Sequence, residues 1–134
     1  MKTLRNILAV IVGLAIGSIV NMYILKLNGA VVPVPEGMDP NNMDSLKANV
    51  GQFTLLNYLV VFLAHSLGTL SGALIAGFIG ASSKVILMYI IAFAFMLGGI
   101  SMIIMLPTPI WFAVVDLAFS YIPVAWLAAK TVKK

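Results

Sequence analysis

The sequence has no cysteine, a single histidine and only four acidic residues. Without cysteine there are no disulfides, no thiolate metal sites and no thiol nucleophile. One histidine and scattered hydroxyls do not make the set of nucleophile, base and orienting group that hydrolytic enzymes use. His65 and Ser66 are adjacent, but neighbouring helical residues point about 100° apart and are badly placed to share a proton. No glycine-rich loop follows a strand to hold phosphate. Glu36, Asp39 and Asp44 are too unevenly spaced for a calcium loop and read as a solvated surface. Charged residues form 9% of the chain, against about a quarter in ordinary soluble domains. Polar groups are too few to cover a water-facing surface.

What the chain has in quantity is apolar side chains, 62% of the total, with a mean hydropathy of +1.11. The apolar runs are long and do not alternate, unlike barrel strands, so hydrocarbon can satisfy their backbone groups only as helices. The expected fold class is therefore all-α: an integral membrane four-helix transmembrane bundle, forming one domain over residues 1–134. Spans are expected at about 6–26, 54–79, 85–106 and 109–129. The first run follows Lys2 and Arg5 as a secretion signal would. It is nevertheless about 20 residues long, enough to cross ~30 Å of hydrocarbon. No small-x-small cleavage site follows, and the segment is expected to be retained.

Residues 27–53 form the one long polar segment. Pro33 and Pro35 each fix their own φ and keep their predecessors out of the helical region, so Val-Pro-Val-Pro-Glu-Gly should run extended and then turn. Asp39-Pro40 reads as a helix start, with aspartate as cap and proline at the first helical position. A short helix is expected from Pro40 to Asn49. Its apolar residues Met43, Leu46 and Val50 recur at three and four, so it should lie on the membrane surface or cap the mouth of the bundle. Residues 80–84 form a short turn, and Leu106-Pro-Thr-Pro109 a tight corner.

The cations set the expected orientation. With both termini inside, Lys2, Arg5, Lys84, Lys130, Lys133 and Lys134 are cytoplasmic, while only Lys26 and Lys47 lie outside. That bias favours an N-in, C-in bundle in a bacterial cytoplasmic (inner) membrane, with loop 27–53 on the periplasmic or outer side. The formal charge of +4 then belongs to lipid headgroups, and no nucleic-acid partner is implied.

Two rows of small residues suggest how the helices meet. Ala9, Gly13, Gly17 and Asn21 lie four apart in the first span. In the second, His65, Thr69, Gly72, Ala76 and Gly80 share one ridge, with Gly68 beside it. Such rows let helix backbones approach closely in lipid. Laid antiparallel, Asn21 would meet His65, Gly17 would meet Thr69 and Gly72, Gly13 would meet Ala76, and Ala9 would meet Gly80. In the third span Gly98 and Gly99 would leave room for a neighbouring side chain.

Asp116 is the sharpest single feature, because an acid in a span costs about 2.5–3.5 kcal/mol on insertion scales. It lies about 13 Å below the outer end of its helix, at the depth of Gly98 and Gly99. By the same arithmetic Asn21, His65 and Asp116 converge in the outer half of the bundle, with Thr69 and Ser120 nearby. His65 and Asp116 supply only two metal ligands. The sulfurs of Met96, Met102 and Met105 are more ordinary as flexible filler than as copper ligands, so neither metal nor cofactor is expected. Pro123 should loosen or kink the fourth span. Trp111, Trp126, Tyr58 and Tyr121 read as interface anchors or packing residues.

Four short spans resemble the small multidrug-resistance transporters in size. That family carries its essential acid in the first span, which here has none, so the resemblance ends with size. Two functional readings follow. The leading one is a non-enzymatic membrane protein that self-associates or serves as an accessory subunit of a larger membrane complex. The alternative is a small oligomeric channel or proton-coupled transporter, moving a proton or small solute through Asp116 and His65.

Overall fold

The computed structural model describes residues 1–39 and 42–133. Among these residues there are helices and no strands, only one isolated bridge between Asn28 and Val32. The helices are α1 (Lys2–Leu25), a kinked single turn α2 (Leu27–Ala30), α3 (Met43–Asn49), α4 (Leu55–Ile79), α5 (Lys84–Met105), α6 (Ile110–Phe119) and α7 (Ile122–Lys133). Four stretches are long and apolar enough to cross a membrane: α1, α4, α5 and the combined Ile110–Val132. The 24 residues of α1 rise about 36 Å, more than a hydrocarbon core requires. Large apolar side chains point outward on every span, among them Ile11 and Ile19, Leu59 and Phe78, Phe93 and Ile104, Val114 and Phe119. Water would penalise such a surface and hydrocarbon would not.

The spans run alternately up and down, so the N-terminus, the α4–α5 turn and the end of α7 gather at one end. There Asn6 accepts from the backbone N–H groups of Ala81 and Ser82, and its amide donates to the Ser82 hydroxyl. Arg5 donates to the Ile79 carbonyl, satisfying the open end of α4. Gly77 lies against Met88 of α5 and Val132 of α7. Small and flexible residues fill the interior at this end: Ala9, Ala73, Ala76, Met88, Ile91 and Ala128.

The α1–α4 contact is the most intimate in the molecule. A β-carbon on Gly13 would stand 2.6 Å from the Gly72 carbonyl oxygen, and one on Gly72 would stand 2.7 Å from that of Gly13. Gly17 and Gly68 repeat the arrangement one turn higher, at 2.6 and 2.9 Å. Gly17 stands nearest Gly68, the neighbour of the expected Thr69, and Gly13 stands nearest Gly72 with the expected Ala76 also against it. Beyond its own helix, Gly80 stands nearest Leu87, with Asn6 also close. The row that docks is Gly68-Gly72-Ala76, strictly four apart, which runs along the helix as a straight i±4 ridge. His65 and Thr69 lie on its flank.

At the other end, the 27–53 segment folds over the bundle. Helix α3 starts at Met43, later than expected, and its cap is Asn42, whose side chain accepts from the Ser45 N–H. Pro40, placed at the start of this helix by sequence, lies outside the described residues. Val50, in the 3-10 turn that follows α3, packs with Tyr58 and Phe112 under the segment, and Leu46 of α3 lines the cavity below. Asn57 pins the loop down. Its amide donates to the side-chain oxygen of Asn28 and to the Pro33 carbonyl, at 3.0 and 2.9 Å. Asn28 returns a bond to the Asn57 carbonyl. Thr54 and Asn57 also form a reciprocal capping box at the start of α4.

Candidate functional site

The fourth span is broken, and the break builds the site. Pro123 has no N–H to offer the Phe119 carbonyl, and its ring crowds that same oxygen. Helix α6 therefore ends at Phe119 and α7 begins at Ile122. In the gap, the Ser120 hydroxyl donates to Oδ1 of Asp116 at 2.9 Å, and the Tyr121 hydroxyl donates to Oδ2 at 3.2 Å. Ser120 in turn accepts from Ser66 of α4 at 3.2 Å.

Helix α4 supplies the third donor. His65 Nδ1 lies 2.9 Å from Oδ1 and 2.8 Å from Oδ2 of Asp116, astride the carboxylate. The Tyr121 ring stacks on the imidazole with centroids 6.0 Å apart. Gly99 of α5 makes the room: a β-carbon there would collide with the Tyr121 hydroxyl. Asp116, Ser120 and Tyr121 are all at most 1% exposed.

The hydroxyls of Ser120 and Tyr121 and the His65 nitrogen converge on Asp116, and each of its oxygens receives two contacts. With Asp116 as a carboxylate, which only accepts, Nδ1 of His65 carries its hydrogen, and in the neutral ring Nε2 keeps a lone pair. Nε2 has no partner among the described residues.

A cavity of about 250 Å³ opens above this pair. Asn21, His65, Gly99 and Asp116 line its polar part, while Met38, Leu46, Val50 and Phe53 of the loop segment contribute to it from above. The remaining walls are mostly apolar, including Leu25, Val61, Ile103 and Phe112. Among the described residues no lysine or arginine lines it. Asn21 keeps its side-chain oxygen buried without a hydrogen-bond donor, an expensive condition for a polar atom in an apolar interior.

Asn21, His65 and Asp116 thus border one space, and Ser120 joins the acid. Asn21 bonds to neither partner; its β-carbon abuts Gly68. Thr69 stays out of the network, because its hydroxyl donates to the His65 carbonyl within α4 at 2.7 Å. Gly98 faces open space and accommodates nothing. The methionines diverge: Met102 lines the cavity, Met96 packs near Tyr121 and Met105 is exposed. Among the described residues no group of three or more His, Cys, Asp or Glu side chains could hold a metal ion.

Sequence reasoning assigned Tyr121 and Tyr58 to anchoring or packing. Both are buried and bonded, Tyr58 donating to the Val50 carbonyl at 2.7 Å. The proximity of Tyr121 to Pro123 and its offset of five from Asp116 was the available signal, since a helix break redirects the residues just before it. The Thr54-Leu-Leu-Asn57 capping spacing likewise pointed to Asn57. Ser66 carried no signal beyond its place beside His65. Comparison with protein-family models, curated proteins and solved structures finds no match to this chain.

Proposed function

We propose that this chain is an inner-membrane protein, with both termini cytoplasmic, that binds a small molecule in the cavity above His65 and Asp116. The molecule has an apolar body and one hydrogen-bond-donating end. The observation that carries the reading is the coincidence of a roofed, mostly apolar space with a few convergent polar groups, the usual form of a small-molecule site. The unpartnered Nε2 of His65 offers an acceptor for a donor, and the apolar walls call for a hydrocarbon body.

The orientation rests on the basic residues, five of which among the described residues (Lys2, Arg5, Lys84, Lys130 and Lys133) belong to the end that holds the N-terminus. Below the pair the interior is filled by alanines, Met88 and Ile91. A carrier or receptor that handles a proton or small solute suits this arrangement better than a water-filled channel within one chain. The small-residue ridges that suggested a partner subunit are used between α1 and α4, so they no longer favour association over binding.

The test is titration of a Trp126→Phe variant in nanodiscs with cyclohexanol and with cyclohexylamine, followed by the fluorescence of Trp111, then its single tryptophan. Trp111 packs edge-on against Tyr58 and Phe112, both of which line the cavity. A saturable change with either probe, lost in a folded variant that also carries Val61→Phe and fills the space, is the expected result. No saturable response to either, or an equal response with Val61→Phe, overturns the reading.

A further inference from the structure

Resting on that reading, the geometry points to a specific occupant: a monovalent organic cation, a protonated amine with an apolar body, that binds in exchange for one proton on His65. Three observations combine. First, among the described residues Asp116 is the only acid at the cavity, and no lysine or arginine lines it. Its charge is therefore balanced inside the protein only by a proton on His65, and an unbalanced buried carboxylate is costly. Second, both carboxylate oxygens are already saturated by His65, Ser120 and Tyr121. A cation entering the cavity meets the acid through His65 rather than directly. Third, Nε2 of His65, a residue that lines the cavity, has no hydrogen-bond partner among the described residues and, unlike the Asn21 oxygen, is not sealed off.

These features make the two states exclusive. With His65 protonated, Nε2 carries a hydrogen and presents a donor to the cavity, which an ammonium N–H cannot use. When that proton leaves to solvent, Nε2 regains its lone pair, and Nδ1 keeps its hydrogen on Asp116. Nε2 then accepts from the ammonium, whose charge replaces that of the departed proton. No bond other than Nε2–H breaks, and net charge at the site is conserved. The titratable groups in contact with His65 are Asp116 from α6 and Tyr121 from the α6–α7 break; Tyr58 lines the cavity from α4 itself, and the facing residues of α1 and α5, Asn21 and Gly99, do not titrate.

The experiment is calorimetry in nanodiscs at mildly acidic pH, with cyclohexylamine and cyclohexanol as a shape-matched pair. Each is run in two buffers of different ionisation enthalpy. The expected result is tighter amine binding, with up to one proton released per amine and none per alcohol. Asp116→Asn should weaken the amine roughly tenfold or more while sparing the alcohol. His65→Gln, which keeps an acceptor without a titratable proton, should bind amine with no proton release. If the alcohol binds as well as the amine and neither releases protons, the cation inference falls while the cavity reading stands. If neither probe binds wild-type protein, both fall together.

Discussion

The hydroxyl of Tyr121 occupies the place that a β-carbon on Gly99 would take. One atom on α5 thus decides whether the donor from the α6–α7 break can reach Asp116. The relationship joins three helices around a single carboxylate, and it makes residue 99 more sensitive than its distance from the acid in sequence suggests.

Gly99→Ala should destabilise the protein by about 1–3 kcal/mol, the usual cost of overpacking a filled interior. Equilibrium unfolding in mixed micelles measures it. Tyr121→Phe in the same chain should recover part of the loss, because it removes the atom in closest conflict. Full additivity of the two changes would show that they do not interact.

Gly13→Ala and Gly98→Ala form a matched pair. At Gly13 the new methyl meets the Gly72 backbone, which cannot step aside, and a loss of about 1–3 kcal/mol is expected. At Gly98 it meets nothing. Alanine there should be neutral or stabilising by up to about 1 kcal/mol, from helix propensity alone. Thermal unfolding of the two variants in one detergent compares them directly.

Asn57→Ala removes the side chain that holds Asn28 and Pro33, and leaves a buried acceptor on Asn28 without its donor. A stability cost of about 1–3 kcal/mol is expected. Limited proteolysis should then cut within residues 27–53 faster than in the parent chain, with α4 left intact. Unchanged cleavage would mean that the loop is held by its apolar contacts alone.

The cysteine-free background permits a clean test of orientation. Lys47→Cys should react with a membrane-impermeant maleimide added to intact cells, and Lys84→Cys only after lysis. Each change removes one cation from its side, so the basic bias that sets the topology is kept.

Much of the architecture could be read from residue patterns. Four apolar runs, the corner at Leu106–Pro109 and the polar segment were visible because each is a local property of composition and turn chemistry. The depth of Asp116 relative to His65 and Gly99 followed from helical rise. Helix rotation did not. Whether Thr69 or Gly68 faces α1 depends on which ridge lets the backbones come closest, and the two ridges share Gly72 and Ala76. Gly98 and Gly99 were likewise indistinguishable until Tyr121 was placed, and Tyr121 depended on how far the Pro123 break extends. The Asn28–Asn57 pair spans 29 residues of sequence and is formed by tertiary folding.

Because His65 is the only histidine, nitrogen-15 labelling of histidine gives one pair of ring signals and tests the account most directly. Solid-state NMR in lipid should find Nδ1 protonated throughout, held on Asp116. Nε2 should change from protonated to bare, hydrogen-bonded nitrogen as cyclohexylamine is added at mildly acidic pH. A bare Nδ1, or an Nε2 signal that ignores saturating amine, would contradict the arrangement on which the binding site is built.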